Sequence, residues 1–99
     1  MRQIIYHVEA RIDVLEIVEH YERKDGPLLS KRFVTELRRY IENIASRPVS
    51  YPVYVGGVRR ANLDHFPHHV LFRILDEETI KIIAVRHNHR RPSYGLHRR

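Results

Sequence analysis

The chain contains no cysteine. Disulfide staples and thiolate metal sites are therefore excluded, and a reducing, cytoplasmic setting is expected. No apolar run approaches the roughly 18–20 residues that a membrane span needs. Met1-Arg2-Gln3 does not open the apolar core of a signal peptide. Glycine is scarce, with four residues in ninety-nine, and the one adjacent pair, Gly56-Gly57, is not a phosphate-cradling loop. No Ser-His-Asp set and no paired carboxylates stand out. One further absence is local. From Arg86 to Arg99 there is no acid, although five arginines, three histidines and a tyrosine lie there.

What is present suits one folded domain spanning residues 1–99. The hydrophobic share of 42% supports a modest single core, and 30% charged residues is ordinary for a folded chain. The net charge of +6 favours polyanions or acidic proteins as partners.

Hydrophobic periodicity places the elements. Gln3 to Val8 reads as a strand. Glu9 to Arg23 reads as a helix with Ala10, Val14, Ile17, Val18 and Tyr21 on one stripe, widened by Leu15. Its acids come early and Arg23 and Lys24 come at its end, which suits the helix dipole. Lys24 to Pro27 is a turn. Leu28 to Ser46 reads as a second helix, with Phe33, Leu37, Ile41 and Ile44 on its buried face, stopped by Arg47-Pro48. Pro48 to Gly57 reads as a loop. Three strands should follow, Val58 to Leu63, His68 to Leu75 and Thr79 to Asn88, the last two joined by an acidic turn.

The resulting order, β-α-α-β-β-β, is an α+β design with a helix hairpin on one face of a small, mostly antiparallel sheet. Strict alternation along the last strand sets Ile80, Ile82 and Ala84 against Ile83, Val85 and His87. Both sheet faces then come out apolar. The face away from the helices is expected to need a protein partner, ahead of cover by the Pro48–Gly57 loop and the C-terminal tail.

Three residue sets carry possible chemistry. Arg73, inside an apolar strand, needs an anionic or carbonyl partner, and Asp64 or Glu77 would provide a structural one. Six of the eight histidines lie between His65 and His97. No carboxylate or cysteine stands at ligand spacing beside them, so no metal and no cofactor is expected. His87 is the best-placed general acid or base. Tyr94, among arginines, is either a base-stacking residue or one packed back on the core. Arg98 and Arg99 read as solvated charge.

Across most of its length, from about residue 7 to 99, the chain resembles the ParE branch of the RelE/ParE toxin superfamily. The resemblance rests on Ala10-Arg11-x-Asp13-x-x-Glu16 with His20-Tyr21, on Pro27-Leu28, Arg32-Phe33 and Glu36-Leu37, and on Ile44-Ala45-x-x-Pro48. It continues through Val58-Arg59-Arg60, Phe66-Pro67-His68-x-Val70-x-Phe72-Arg73 and Ile82-x-Ala84-Val85-x-His87-x-x-Arg90-x-Pro92-x-Tyr94. Phe72 and His68 stand where the ParE pattern has tyrosines.

The resemblance implies a cytoplasmic toxin of a type II toxin–antitoxin module. A cognate antitoxin, through an acidic C-terminal segment, neutralises such a toxin, and operator DNA is met only through that antitoxin. The implied activity is inhibition of DNA gyrase by binding. The alternative is a ribosome-dependent mRNA endonuclease using His87, Arg73, Arg90 and Tyr94. Aligned on Tyr94, however, Asn88 stands where such a nuclease has a catalytic arginine. Aligned on Leu71-Phe72, Val70 stands where another basic residue is expected, and a phosphorane needs those cations. Candidates for contact with target or antitoxin are Arg59, Arg60, Leu71, Arg73, Leu75, His87, Arg90, Arg91 and Tyr94.

Overall fold

The computed structural model describes residues 1–99. Strand β1 (Gln3–Tyr6) leads into helices α1 (Val8–Asp25) and α2 (Pro27–Ser46). A 3-10 turn (Pro48–Ser50) and strands β2 (Val53–Val55), β3 (Val58–Asn62), β4 (His68–Ile74) and β5 (Thr79–His87) complete the fold. The expected α+β architecture is present, with β2 added inside the stretch read as a loop. The five strands run in the order β1-β5-β4-β3-β2. β1 is parallel to β5, and all other pairs are antiparallel.

Local chemistry explains the helix ends. The His7 side chain accepts the Glu9 N–H at 3.1 Å and caps α1. Gly26 ends α1 and starts α2 in one residue. Its φ of +77° is available to glycine at little cost, and Pro27 follows at the first helical position.

The helices bury one face of the sheet. Phe33, Leu37, Ile41 and Ile44 of α2 and Ala10 and Tyr21 of α1 pack on Ala61, Val70, Phe72, Ile80, Ile82 and Val85. Tyr21, Phe33, Phe66 and His68 form an aromatic knot at one end, with ring centroids 5.2–5.9 Å apart. Leu15 does not join the α1 stripe in the core and is 65% exposed.

Alternation along β5 does not hold. Leu71 pairs with Ala84 and Phe72 with Ile82, so Ile83 is an extra residue in a β-bulge. The bulge turns Ile83 and Ala84 both to the face away from the helices, where they cluster with Val58 and Leu71. It returns Val85 to the helix side. Every residue from Ile82 to Val85 is apolar, so no change of polarity marks the slip.

The far face is covered by the chain itself, not left for a partner. Tyr54 and Leu96 pack over Val58, Leu71, Ile83 and Ala84, all nearly inaccessible. Gly95 makes the close approach possible. A Cβ there would lie 2.9 Å from that of Ala84, and its φ is +81°.

Candidate functional site

Residues 88–99 fold back as a clasp held by two buried arginines. Arg86, 3% exposed, donates from Nε to His69 Nε2 at 2.8 Å. Its Nη1 donates to the carbonyls of Arg91, Pro92 and Tyr94 at 3.1, 2.8 and 2.8 Å. Its Nη2 donates to the Tyr54 hydroxyl at 2.9 Å. His69 Nε2 must therefore be unprotonated, and its Nδ1–H faces Asn88 Oδ1 at 2.8 Å. Burial, together with the nearby Arg60 and Arg86 charges, outweighs the Asn88 hydrogen bond and brings the His69 pKa down to about 4.

The second arginine corrects an expectation. Arg98 is 6% exposed, not solvated. Its Nη1 and Nη2 donate to Asp13 Oδ2 and Oδ1 at 2.7 and 3.3 Å, and Nη1 also reaches the Ile83 carbonyl at 3.0 Å. Glu9 Oε2 lies 3.2 Å from Nε. Burial opposes the Arg98 charge, but the hydrogen bonds and charge of Asp13 outweigh it and raise its pKa. Asp13 serves more than the tail. Its Oδ2 accepts the Val85 N–H at 3.1 Å, just past the bulge, and its Oδ1 accepts the Tyr94 hydroxyl at 3.2 Å. One α1 carboxylate thus joins helix, bulge and tail.

Beside this clasp, on the helix side, is a cleft of about 390 Å³ lined by Glu16, His20, Arg23, His68, His87 and Arg90, with Asp13 and Tyr94 at its wall. The His87 and His68 rings stand 5.2 Å apart and the His87 and His89 rings 5.3 Å apart. His87 Nδ1 accepts the His89 N–H at 3.1 Å, which leaves its proton on Nε2. Burial, with the neighbouring His87, His69 and His20, lowers the His68 pKa to about 4. No group of three or more metal-binding side chains is placed to hold an ion.

The structure thus gathers three of the expected residues, His87, Arg90 and Tyr94, in one cleft. Tyr94 is not free. Its hydroxyl is bound by Asp13 and its ring lies under Arg90 and Arg98, at 4.6 and 5.0 Å from the guanidinium carbons. Arg91 is exposed at the tail and lends its carbonyl to Arg86. Arg73 is elsewhere, on the far face of β4 beside Lys81. It makes no ion pair, so neither Asp64 nor Glu77 is its partner. Arg59 donates to the Tyr51 carbonyl at 2.7 Å, and Arg60 lies over the Tyr54 ring. Leu71 is fully buried and presents nothing to a partner, whereas Leu75 is 50% exposed. Sequence reasoning missed Asp13, His69, Arg86 and the role of Arg98. A signal existed for Asp13, which sits between Ala10 and Ile17 on the stripe that faces the core.

Residues 4–92 match the family model for the ParE toxin of the type II toxin–antitoxin system, parDE. The chain belongs to the ParE toxin family. The match ends at Pro92, short of Tyr94, Gly95, Leu96 and Arg98 of the clasp. Among solved structures, a chain of the chromosomal ParDE TA system from P. aeruginosa superposes with a TM-score of 0.76 at 22% identity. The alignment covers 88% of this chain and 96% of that one, and it supports the ParE fold. A search of curated proteins gives no significant match. No helix of this ParE-family chain is long and apolar enough to cross a membrane.

Proposed function

We propose that the chain is a toxin that inhibits DNA gyrase by binding, and that a cognate antitoxin neutralises it. The observation that carries this reading is the ParE match over residues 4–92. The side-chain arrangement agrees with it. A phosphodiester-cleaving site needs its cations converging on one phosphate. Here Arg73 lies across the sheet from His87, and the Tyr94 hydroxyl is occupied by Asp13.

The antitoxin finds its surface on the helices. Val8, Ile12 and Leu15 recur at helical spacing along α1 and are 67%, 47% and 65% exposed. Leu15 also lines a groove between α1 and α2 floored by Val14, Val34, Leu37 and Ile41, with Arg11 and Arg38 at its rim. An amphipathic acidic segment fits this combination, its apolar side in the groove and its carboxylates on the arginines. The tail-covered sheet face offers no comparable apolar surface.

The test is to add the purified chain, free of antitoxin, to a gyrase supercoiling assay and to ribosomes translating a defined mRNA. Loss of supercoiling with intact mRNA is expected. Codon-positioned cuts alongside normal supercoiling would overturn the reading.

A further inference from the structure

Charge in this molecule is divided by layer. The two helices hold eight of the twelve carboxylates and seven of the eighteen lysines and arginines. Strands β2 to β5 and residues 88–99 hold no acidic side chain. The helix side is thus close to neutral, and the sheet and tail carry the excess positive charge.

On the far face this excess is arranged in register. Arg73 of β4 and Lys81 of β5 are direct cross-strand partners. Arg60 of β3 pairs with Leu71, two residues along the same face of β4. Like charges set opposite each other cost stability, and no acidic side chain on those strands offsets it. The three cations are partly exposed and have donors to spare. Arg73 has no ion-pair partner. Lys81 gives one donor to the Arg99 carbonyl. Arg60 uses Nε on Asn62 Oδ1 at 2.8 Å, and its plane rests on Tyr54.

The class of ligand follows from what the face lacks. A protein interface draws its energy from desolvated apolar and aromatic anchors. Here the apolar patch is already closed by Gly95 and Leu96, and the exposed apolar residues Val55 and Leu75 lie only at one end. A phosphate backbone needs no such anchor. It needs cations at strand spacing with free N–H groups. We infer that Arg60, Arg73 and Lys81 form a surface for the phosphate backbone of duplex DNA, used on the DNA that gyrase holds. The second clause rests on the proposed gyrase reading; the first does not.

The probe is a short fluorescent duplex of mixed sequence, titrated with the isolated chain across a salt series. Sequence-independent binding is expected, with a log–log salt slope of about −3 for three phosphate contacts. The combined change Arg60→Gln, Arg73→Gln and Lys81→Gln should weaken binding more than about tenfold and flatten the slope. Lys31→Gln with Arg32→Gln, on α2, should leave both unchanged. Lys81→Gln alone removes a like-charge pair, so its melting temperature should hold or rise, which keeps the test valid if the triple variant folds poorly. No duplex binding at low salt, wild-type binding by the triple variant, or tighter binding of a polyglutamate peptide than of the duplex would each overturn the inference. Supercoiling assays separate the two readings. A chain that binds duplex through these residues yet leaves gyrase active keeps the DNA surface and sinks the gyrase target. A triple variant that inhibits gyrase fully keeps the gyrase target and overturns the use of this surface on the DNA that gyrase holds.

Discussion

The two faces of the sheet are closed by different means. Under the helices, thirteen buried apolar residues form one cluster, and two amphipathic helices supply the cover. On the other face four buried residues are covered mainly by Tyr54 and Leu96. Apolar burial at about 25 cal/mol per Å² sustains the first. It cannot sustain the second, because a short polar tail has little apolar area to bury. There the fold substitutes directed bonds: Arg86 collects three tail carbonyls, and Arg98 anchors on Asp13. A small domain can thus close a second sheet face without a second layer, by placing one guanidinium under the chain that crosses it and sending another down from that chain.

Three measurements bear on this contrast. The largest effect is expected on the helix side. Phe33→Ala leaves a cavity in the aromatic knot and should cost about 3–5 kcal/mol in urea unfolding. Because both faces share one sheet, protection from hydrogen exchange should fall on both. Next comes the clasp. Asp13→Asn removes the only buried carboxylate facing Arg98 and should cost about 3 kcal/mol. Adding Arg98→Met should recover part of that loss, since the stranded charge goes with it. A single-variant cost below about 1 kcal/mol would show that the tail is held by packing instead.

The smallest effect per residue is acid sensitivity, and both faces share it. His68 lies among the aromatics of the helix side, and His69 under Arg86 on the tail side. Both have folded pKa values lowered to about 4 from 6.5. The unfolded chain then binds more protons between those values, so stability is full above about pH 6.5 and is lost as pH falls towards 4. From pH 7 to pH 5 the loss should be about 2 kcal/mol per histidine. Urea midpoints of the wild type and of His69→Gln across that range apportion it between the faces. A flat profile in the wild type would refute the account.

The helix hairpin, the three longer antiparallel strands and the helix-side core were readable from periodicity, because apolar spacing is a local property. Three things were not. Strand β2 is three residues between prolines and glycines, too short to show a period. The bulge at Ile83 sits in an apolar run where a one-residue slip changes no polarity. Arg98 finds its carboxylate eighty-five residues away, so a tail without acids looked unpaired. Of the candidate site, His87, Arg90 and Tyr94 do converge. Arg73 does not, because alternation places it on the opposite face from the cleft.

The parallel pairing of β1 with β5 has a consequence for how this molecule comes into being. Gln3–Tyr6 must wait for Thr79–His87 before it has a neighbour. Contacts that join the two ends of a chain raise its contact order and slow its folding. During synthesis the helix hairpin can form early, while the sheet it packs on still lacks its inner strands. The finished sheet, with its row of cations, therefore exists only once Thr79–His87 has been made. A growing chain presents the apolar helix groove well before it presents the charged face.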